Sequence, residues 1–514
     1  MQLAQGLQTF RQNLGRDLPA SFVVFLVALP LCMGISIASG VPPEKGLITG
    51  IVGGILVGLI AGAPLQVSGP AAGLAVIVFE FVRTHGFEAL GPVLVLAGIL
   101  QLVAGGLRIG NWFRAISPAV VHGMLAGIGV LIVLGQIHVL TDAVPLPSGL
   151  DNLMAIPVAV FEAFSGGNRL SAVMVGLATI AAMLGWERFR PTRLKLLPGA
   201  LIAVLAGTLL ASLGGLDVKR IEVPDAILST LALPSSEAWG RLAEPAILVM
   251  ALTIAAVASA ESLLSAAAVD RMHDGPRTRY DRELGAQGVG NLVCGLIGGL
   301  PMTGVIVRSS ANVQAGAVSR ASTVLHGIWI LAFLLALPWV LTMVPTAALA
   351  GILVVTGWRL VGPSHAFHLH RRYGWVTVGI WFVTLVTVVA TDLLTGVLTG
   401  FGLSLLQSLP ALRRGRLRIE EVEAPKQEGV PELRLSGGAT FLQLPGLTEA
   451  LERTPEGGEV RLATRGLSAI DHTCLEVISD WANRRAASGT RIAVVGGSGA
   501  PHDRLAAVVA SPAH

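Results

Sequence analysis

The chain has 514 residues, of which 53% are hydrophobic and only 13% charged, and its mean hydropathy is +0.71. Soluble domains carry about a quarter charged residues, so the composition excludes an ordinary soluble globular protein and places the chain in a membrane. The net charge of +4 comes from Lys and Arg in short loops between apolar runs, as membrane topology requires, which argues against a nucleic-acid groove.

The N-terminus is polar up to Asp17, and the apolar run that follows reads as an uncleaved first span. A membrane helix needs about 20 mostly apolar residues. Candidate spans centre on Ala20–Ser39, Leu47–Ala61, Pro92–Leu107, Ala119–Gln136, Ala172–Trp186, Pro198–Leu213, Pro245–Val269, Leu284–Leu300, Thr323–Met343, Ala347–Leu360, Val376–Val389 and Leu393–Leu409. Two shorter apolar segments, Pro70–Phe81 and Val305–Ala317, follow the Gly/Pro stretches at 67–70 and 298–304. They stand third and tenth among about 14 elements, the same place in each set of seven. Matched interrupted segments point to an inverted repeat with broken helices.

Loop charge sets the orientation. With Arg11 and Arg16 inside, the basic loops at Arg108 and Arg114, Arg188 to Lys195, Arg271 to Arg282, Arg359 to Arg372, and Arg413 to Arg416 all fall on the same side. The intervening Gly214–Glu244 loop holds Asp217, Glu222, Asp225, Glu237 and Glu244 and suits the outside. Both ends are therefore expected in the cytoplasm. After about Leu417 the composition changes. Strands at Val430–Leu435, Glu459–Ala463 and Arg491–Val495, with helices at Leu447–Arg453 and Thr473–Ala487, describe a small soluble α/β domain.

A helix that begins in mid-membrane points its free N–H groups and positive dipole end into the surrounding cavity. Two such ends form an anion site without formal charge. Candidate anion-contacting residues are Ser68, Gly69, Pro70, Ala71 and Ala72 in the first segment, and Thr303, Gly304, Val305 and Ile306 in the second. Ser68 and Thr303 are also candidate caps. Arg308, one turn into the second segment, is a charge at membrane depth and marks function; a structural pair with Glu261 is its plainer reading. Glu261, with Ser265 one turn on, is a candidate for coupling anion movement to H⁺ or Na⁺. No other metal and no cofactor is expected. His122 reads as a helix-end residue, Asp392 as a loop or cap residue, and the His365, His368, His370 cluster as a solvated loop. Cys32, Cys294 and Cys474 lack metal or disulfide spacing. Asp471, before His472 and Thr473, is placed to cap a helix.

With these residues in view the chain resembles the SulP (sulfate permease) anion transporter family over nearly its full length. The likeness is carried by 17–20, 28–30 and 38–43 in the first span, by Gln66–Gly73, by 282–291 through Gly304, and by 309–312 with 315–317. The C-terminal part is similar to a STAS domain. The resemblance implies an α-helical polytopic membrane protein of 14 transmembrane segments. These form a 7+7 inverted repeat, split into core and gate domains, with a cytoplasmic STAS domain. The implied limits are 1–412 for the membrane part (repeats about 1–215 and 240–412), 413–429 for a linker and 430–514 for the STAS domain. The resemblance also implies a homodimer, an elevator-like movement, and an anion between the third and tenth helices. Glu261 and Ser265 fall where sodium-dependent bicarbonate transporters of the family carry Asp and Thr. Leu31, Val305 and Val307 depart from common family residues, and His472 stands where anti-sigma antagonists carry a phosphorylatable serine, so Asp471, His472 and Thr473 are the candidate regulatory residues.

The expected function is secondary active transport of a small inorganic oxyanion, bicarbonate or sulfate, across the cytoplasmic membrane, driven by Na⁺ or H⁺. An uncoupled anion pathway and a membrane anion sensor acting on a cytoplasmic protein partner are the competing readings. No nucleophile–base constellation in the spans suggests an enzyme.

Overall fold

The computed structural model describes residues 2–510 except 111–116, 147, 166–168, 195–196, 223–230, 232, 271, 274, 363–366, 368–369, 371–373, 413–416, 423–429, 441–442 and 456. Arg114, Lys195, Asp225, Arg271, His365, His368, Arg371, Arg372 and Arg413 to Arg416, named above, lie outside the described residues.

The longer helices run, in chain order, α1 Gln2–Ala38, α2 Pro43–Ile60, α3 Ala75–His85, α4 Leu90–Gly106, α5 Pro118–Leu140, α6 Gly149–Phe164, α7 Arg169–Phe189 and α8 Gly199–Leu213. They continue with α9 Pro245–Asp270, α10 Tyr280–Ile297, α11 Ile306–Gln314, α12 Ala321–Ala336, α13 Thr346–Val361, α14 Trp375–Ala390 and α15 Leu393–Leu412. Two three-residue strands, β1 Ser68–Pro70 and β2 Met302–Gly304, precede α3 and α11. A helix occupies each of the twelve expected span positions and each of the two short segments. Among the described residues five helices are long and apolar enough to cross a membrane by length and composition, and six more are apolar and shorter.

Some elements differ from expectation. The span expected over Thr323–Met343 stops at Ala336, because Pro338 cannot donate to the helical ladder and disfavours a helical residue before it; a short helix, Pro338–Leu341, follows. Helix α6 was not anticipated. Pro157 and the charges Asp151 and Glu162 interrupt its apolar pattern, and it exposes Leu153, Met154, Val158, Phe161 and Phe164.

Contacts divide the chain into two compact units. One comprises Met1–Gly110, Leu125–Gly362 and Val386–Leu394; the other comprises Asn111–Met124, Pro363–Leu385 and Thr395–His514. In the first unit α4 and α10 form an exceptionally close antiparallel pair. Glycines repeat every seven residues along α4, at 91, 98 and 105, and meet Gly295, Gly288 and Gly285 of α10. A Cβ on Gly98 would stand 2.6 Å from the Gly288 carbonyl oxygen. Without a hydrophobic driving force between helices in lipid, such small-residue faces are what hold them together. Asp17 ties α1 to the turn before α12. Its buried carboxylate accepts hydrogen bonds from the Val318 and Ser319 N–H groups at 2.8 and 3.1 Å and from the Ser319 hydroxyl.

The second unit contains the α/β domain: β3 Arg418–Val422, β4 Glu432–Ala439, α16 Leu444–Arg453, β5 Glu459–Ala463, β6 Leu467–Ile470, α17 His472–Ala487, β7 Arg491–Val495 and α18 Ala500–Ala510. The sheet runs β3-β4-β5-β7, with β6 also on β4; β3 is antiparallel to β4 and the other pairings are parallel. Strand β3 lies inside the stretch expected as a linker. Leu417 and Ile419 pack on the domain core, and the outward Arg418 and Glu420 alternate with them. Phe401 and Leu405 of α15 pack on the same core, so this unit begins before residue 413.

Two outcomes check this packing. Gly98→Val places side-chain atoms against α10 and costs about 1–3 kcal/mol as overpacking. Its thermal midpoint in detergent drops, whereas Ile99→Ala, at the exposed neighbour, shifts it little. Burial and the adjacent Asp471 carboxylate push the Cys474 thiol well above its ordinary range. At pH 8 it stays a neutral thiol and a poor nucleophile. Peptide mapping should find Cys474 unalkylated by iodoacetamide in the native protein and alkylated after unfolding.

Candidate functional site

Both short strands arise where a helix is stopped inside the first unit. Gly298 ends α10 in a left-handed conformation, with φ 73°. The Leu300 N–H then donates to Thr49 Oγ1 at 2.7 Å. Strands β1 and β2 pair antiparallel, with Ser68 opposite Gly304, Gly69 opposite Thr303 and Pro70 opposite Met302. The Val305 N–H donates to the Val67 carbonyl at 2.9 Å and extends the pairing. Two half-helices therefore leave one strand pair. The first begins with a 3₁₀ turn, Ala72–Leu74, and runs into α3; the second is α11. Their N-cap residues are Ala71 and Val305, and neither start has a side-chain cap. Ser68 and Thr303, offered by the sequence as caps, lie within the strands instead.

Side chains from α9, α10 and α11 clamp this irregular backbone. Asn291 holds both backbone groups of Met302, accepting from its N–H at 2.8 Å and donating to its carbonyl at 3.2 Å. The same amide donates to Gln101, which donates to Ser259. Ser262 Oγ accepts from the Gly304 N–H at 3.0 Å, and Ser309 Oγ from the Val67 N–H at 2.8 Å. Asn312 donates to the Leu65 carbonyl at 3.0 Å. Glu283 accepts from the Gly62 and Ala63 N–H groups, both at 2.9 Å, and Gln287 links Glu283 to the Ser68 hydroxyl.

The two charges named from the sequence take different walls of the crossing and form no ion pair with each other. Arg308, in the first turn of α11, is fully buried, and Nε, Nη1 and Nη2 have no hydrogen-bond partner in the chain. Its guanidinium lies over Gly69, where a Cβ would meet Nη1 at 2.1 Å, and beside the Cys32 thiol. Glu261 points instead at the Thr303 hydroxyl and the Gly73 N–H, and its Oε2 has no partner. A Cβ on Gly73 would come within 2.3 Å of Glu261 Oε1. Glu261 thus meets the positive end of the first half-helix.

The remaining expected residues fall as follows. Gly69, Pro70, Ala71 and Gly304 are buried at the crossing, while Ile306 and Val307 are exposed on α11. Ser265 is buried on α9, but the hydroxyl that bonds the crossing from this helix is that of Ser262. In the second unit Asp471 caps α17, accepting from the Cys474 N–H at 2.8 Å, and His472 and Thr473 stand in its first turn. Among the described residues no group of three or more His, Cys, Asp or Glu side chains is placed to hold a metal ion.

Residues 14–384 match the model of the sulfate permease family. The chain belongs to the sulfate permease family. Within that family it is 31% identical to the putative sulfate transporter YvdB of Bacillus subtilis, over 76% of this chain and 72% of the relative. It is 25% identical to the bicarbonate transporter BicA of Picosynechococcus, over 80% of this chain and 73% of the relative. Its fold is similar to that of SLC26A9, with TM-score 0.68 and 14% identity, over 96% of this chain and 86% of that one. This sulfate permease family member is a multi-pass membrane protein, and the relatives it matches are named transporters rather than enzymes.

Several residues of the family member's crossing were not singled out for their chemistry: Gln66, Gln101, Ser262, Gln287, Asn291, Ser309 and Asn312. One signal was available. Glu283, Gln287 and Asn291 recur every four residues on one face of α10, and polar groups inside a membrane helix mark a partner. Asn291→Leu leaves the Met302 N–H and carbonyl without their side-chain partners, a cost of about 2–4 kcal/mol. The expected readout is a lowered thermal midpoint together with lost activity.

Proposed function

We propose that this protein is a secondary active transporter of a small inorganic oxyanion, bicarbonate or sulfate, across the cytoplasmic membrane. The observation that carries the reading is Arg308. A fully buried guanidinium with no partner in the chain stands in the first turn of an uncapped half-helix. A charge in a membrane interior costs about 2.5–3.5 kcal/mol or more, and burial without a counter-charge is strongly unfavourable. An anion that meets Arg308 and the helix end removes that penalty. Ser68 to Ala72 and Thr303 to Ile306 supply the surrounding backbone. Sulfate and bicarbonate are the substrates in the names of its relatives.

Glu261 carries the coupling in this reading. Its carboxylate has one oxygen without a partner beside the hydroxyl of Thr303 and the broken backbone. Hard cations favour such oxygen ligands, and the same group takes up H⁺; Ser265 lies one turn away. Both termini are cytoplasmic, the α/β domain that begins with β3 is a STAS domain that binds a cytoplasmic partner, and the protein works as a homodimer through an elevator-type movement of 14 spans.

Uptake of labelled bicarbonate and sulfate into proteoliposomes, under imposed Na⁺ and pH gradients, tests this. Uptake that depends on one gradient is expected. Arg308→Met should lower it by roughly tenfold or more, and Glu261→Gln should abolish uptake. No flux under any gradient sinks the transport reading, and a full cation-independent current through Glu261→Gln sinks the coupling.

A further inference from the structure

His326 lies on α12, fully buried. Its Nδ1 is 2.6 Å from the Thr323 carbonyl oxygen. A carbonyl only accepts, so Nδ1 carries the proton, and in the neutral ring Nε2 is a bare acceptor. That atom has no hydrogen-bond partner in the chain. Residues Val52–Val57 of α2 form a π-helical turn, and the ring packs on it: a Cβ on Gly54 would come within 2.7 Å of His326 Cε1. Single π turns recur at functional sites. The neighbouring Gly53 packs as closely on the Ser68 carbonyl, and Gly69, next in β1, carries Arg308 Nη1. One bare acceptor, on the ring at Gly54, and three bare donor nitrogens, on the guanidinium at Gly69, are therefore buried on either side of the contact between Gly53 and Ser68.

We infer that His326 is a specificity-determining residue: its Nε2 accepts the proton of an oxyanion whose charged oxygens lie on Arg308. This rests on the reading of Arg308 as the cation that meets the transported anion, and it adds which anion fits. Bicarbonate carries one hydroxyl and a charge shared over two oxygens, which matches one acceptor beside a guanidinium fork. Sulfate and chloride carry no proton at neutral pH. Either would set a lone pair against the lone pair of Nε2. A site that hydrogen-bonds a ligand hydroxyl rejects analogues lacking it, because its own buried group is then left without a partner.

The test compares bicarbonate and sulfate uptake by the full-length protein in proteoliposomes at pH 8. The wild type should show the higher kcat/KM for bicarbonate. His326→Asn keeps a donor for the Thr323 carbonyl but places no atom at Nε2. It should lower the bicarbonate-to-sulfate ratio by roughly tenfold or more, with sulfate uptake unchanged or raised. His326→Gln, whose amide oxygen returns an acceptor, should restore part of the ratio. Thermal midpoints in detergent show whether each variant is folded. An unchanged ratio in a folded His326→Asn overturns the assignment, as does a parallel fall in both anions, which a packing role or a bridging water produces. A wild type that prefers sulfate overturns it as well. Absent uptake of both anions by the wild type is a failure of transport, not of His326. The ratio of equilibrium affinities for bicarbonate and sulfate in detergent then decides the assignment by itself.

Discussion

A backbone that leaves helical geometry inside a membrane has no water to bond, and each unmet N–H or C=O costs several kcal/mol. The crossing of β1 and β2 answers that constraint twice over. The strands satisfy one another over three residue pairs, and Asn291, Ser262, Ser309, Asn312 and Glu283 take up adjoining backbone groups. What this leaves is two helix starts with apolar cap residues. The crossing is thus the remainder of a satisfaction problem: Glu261 meets the first helix start at the Gly73 N–H, and Arg308 stands unpartnered in the first turn of the second.

The charges at the crossing follow the same logic. Glu261 and Arg308 do not neutralise each other. The carboxylate lies with Gly73 and Thr303, and the guanidinium with Gly69 and Cys32. Each has an atom without a partner. A direct ion pair would have been a local structural solution and would have offered a ligand little. The glycines at 69 and 73 make the separation feasible, because a Cβ at either would collide with the charged group it faces.

Much of this was legible in the sequence, for physical reasons that differ by element. Interrupted helices announce themselves through Gly and Pro at matched positions, and a lone Arg308 or Glu261 in an apolar run is conspicuous. Strands β5 and β7 were readable to the residue because short apolar runs lie between turn residues. The β1–β2 pairing was not readable, since three residues carry no period and the partner lies more than two hundred positions away. The same holds for the partner choice of Glu261, which only tertiary contact fixes. Strand β3 was legible from Leu417, Ile419 and their charged neighbours, but a basic and acidic stretch reads as linker unless its alternation is weighed. The role of His326 depends on the single carbonyl that fixes its tautomer.

Strand β3 also sets a mechanical property of the second unit. Only residues 413–417 separate the end of α15 from the first strand of the sheet. Extended, that stretch reaches at most about 20 Å, far less than a tether ending at residue 430 would allow. With Phe401 and Leu405 packed on the domain core as well, the α/β domain is held on a short, partly rigid stem. A domain packed on its own stem in this way shares the orientation of α15 instead of hanging from it.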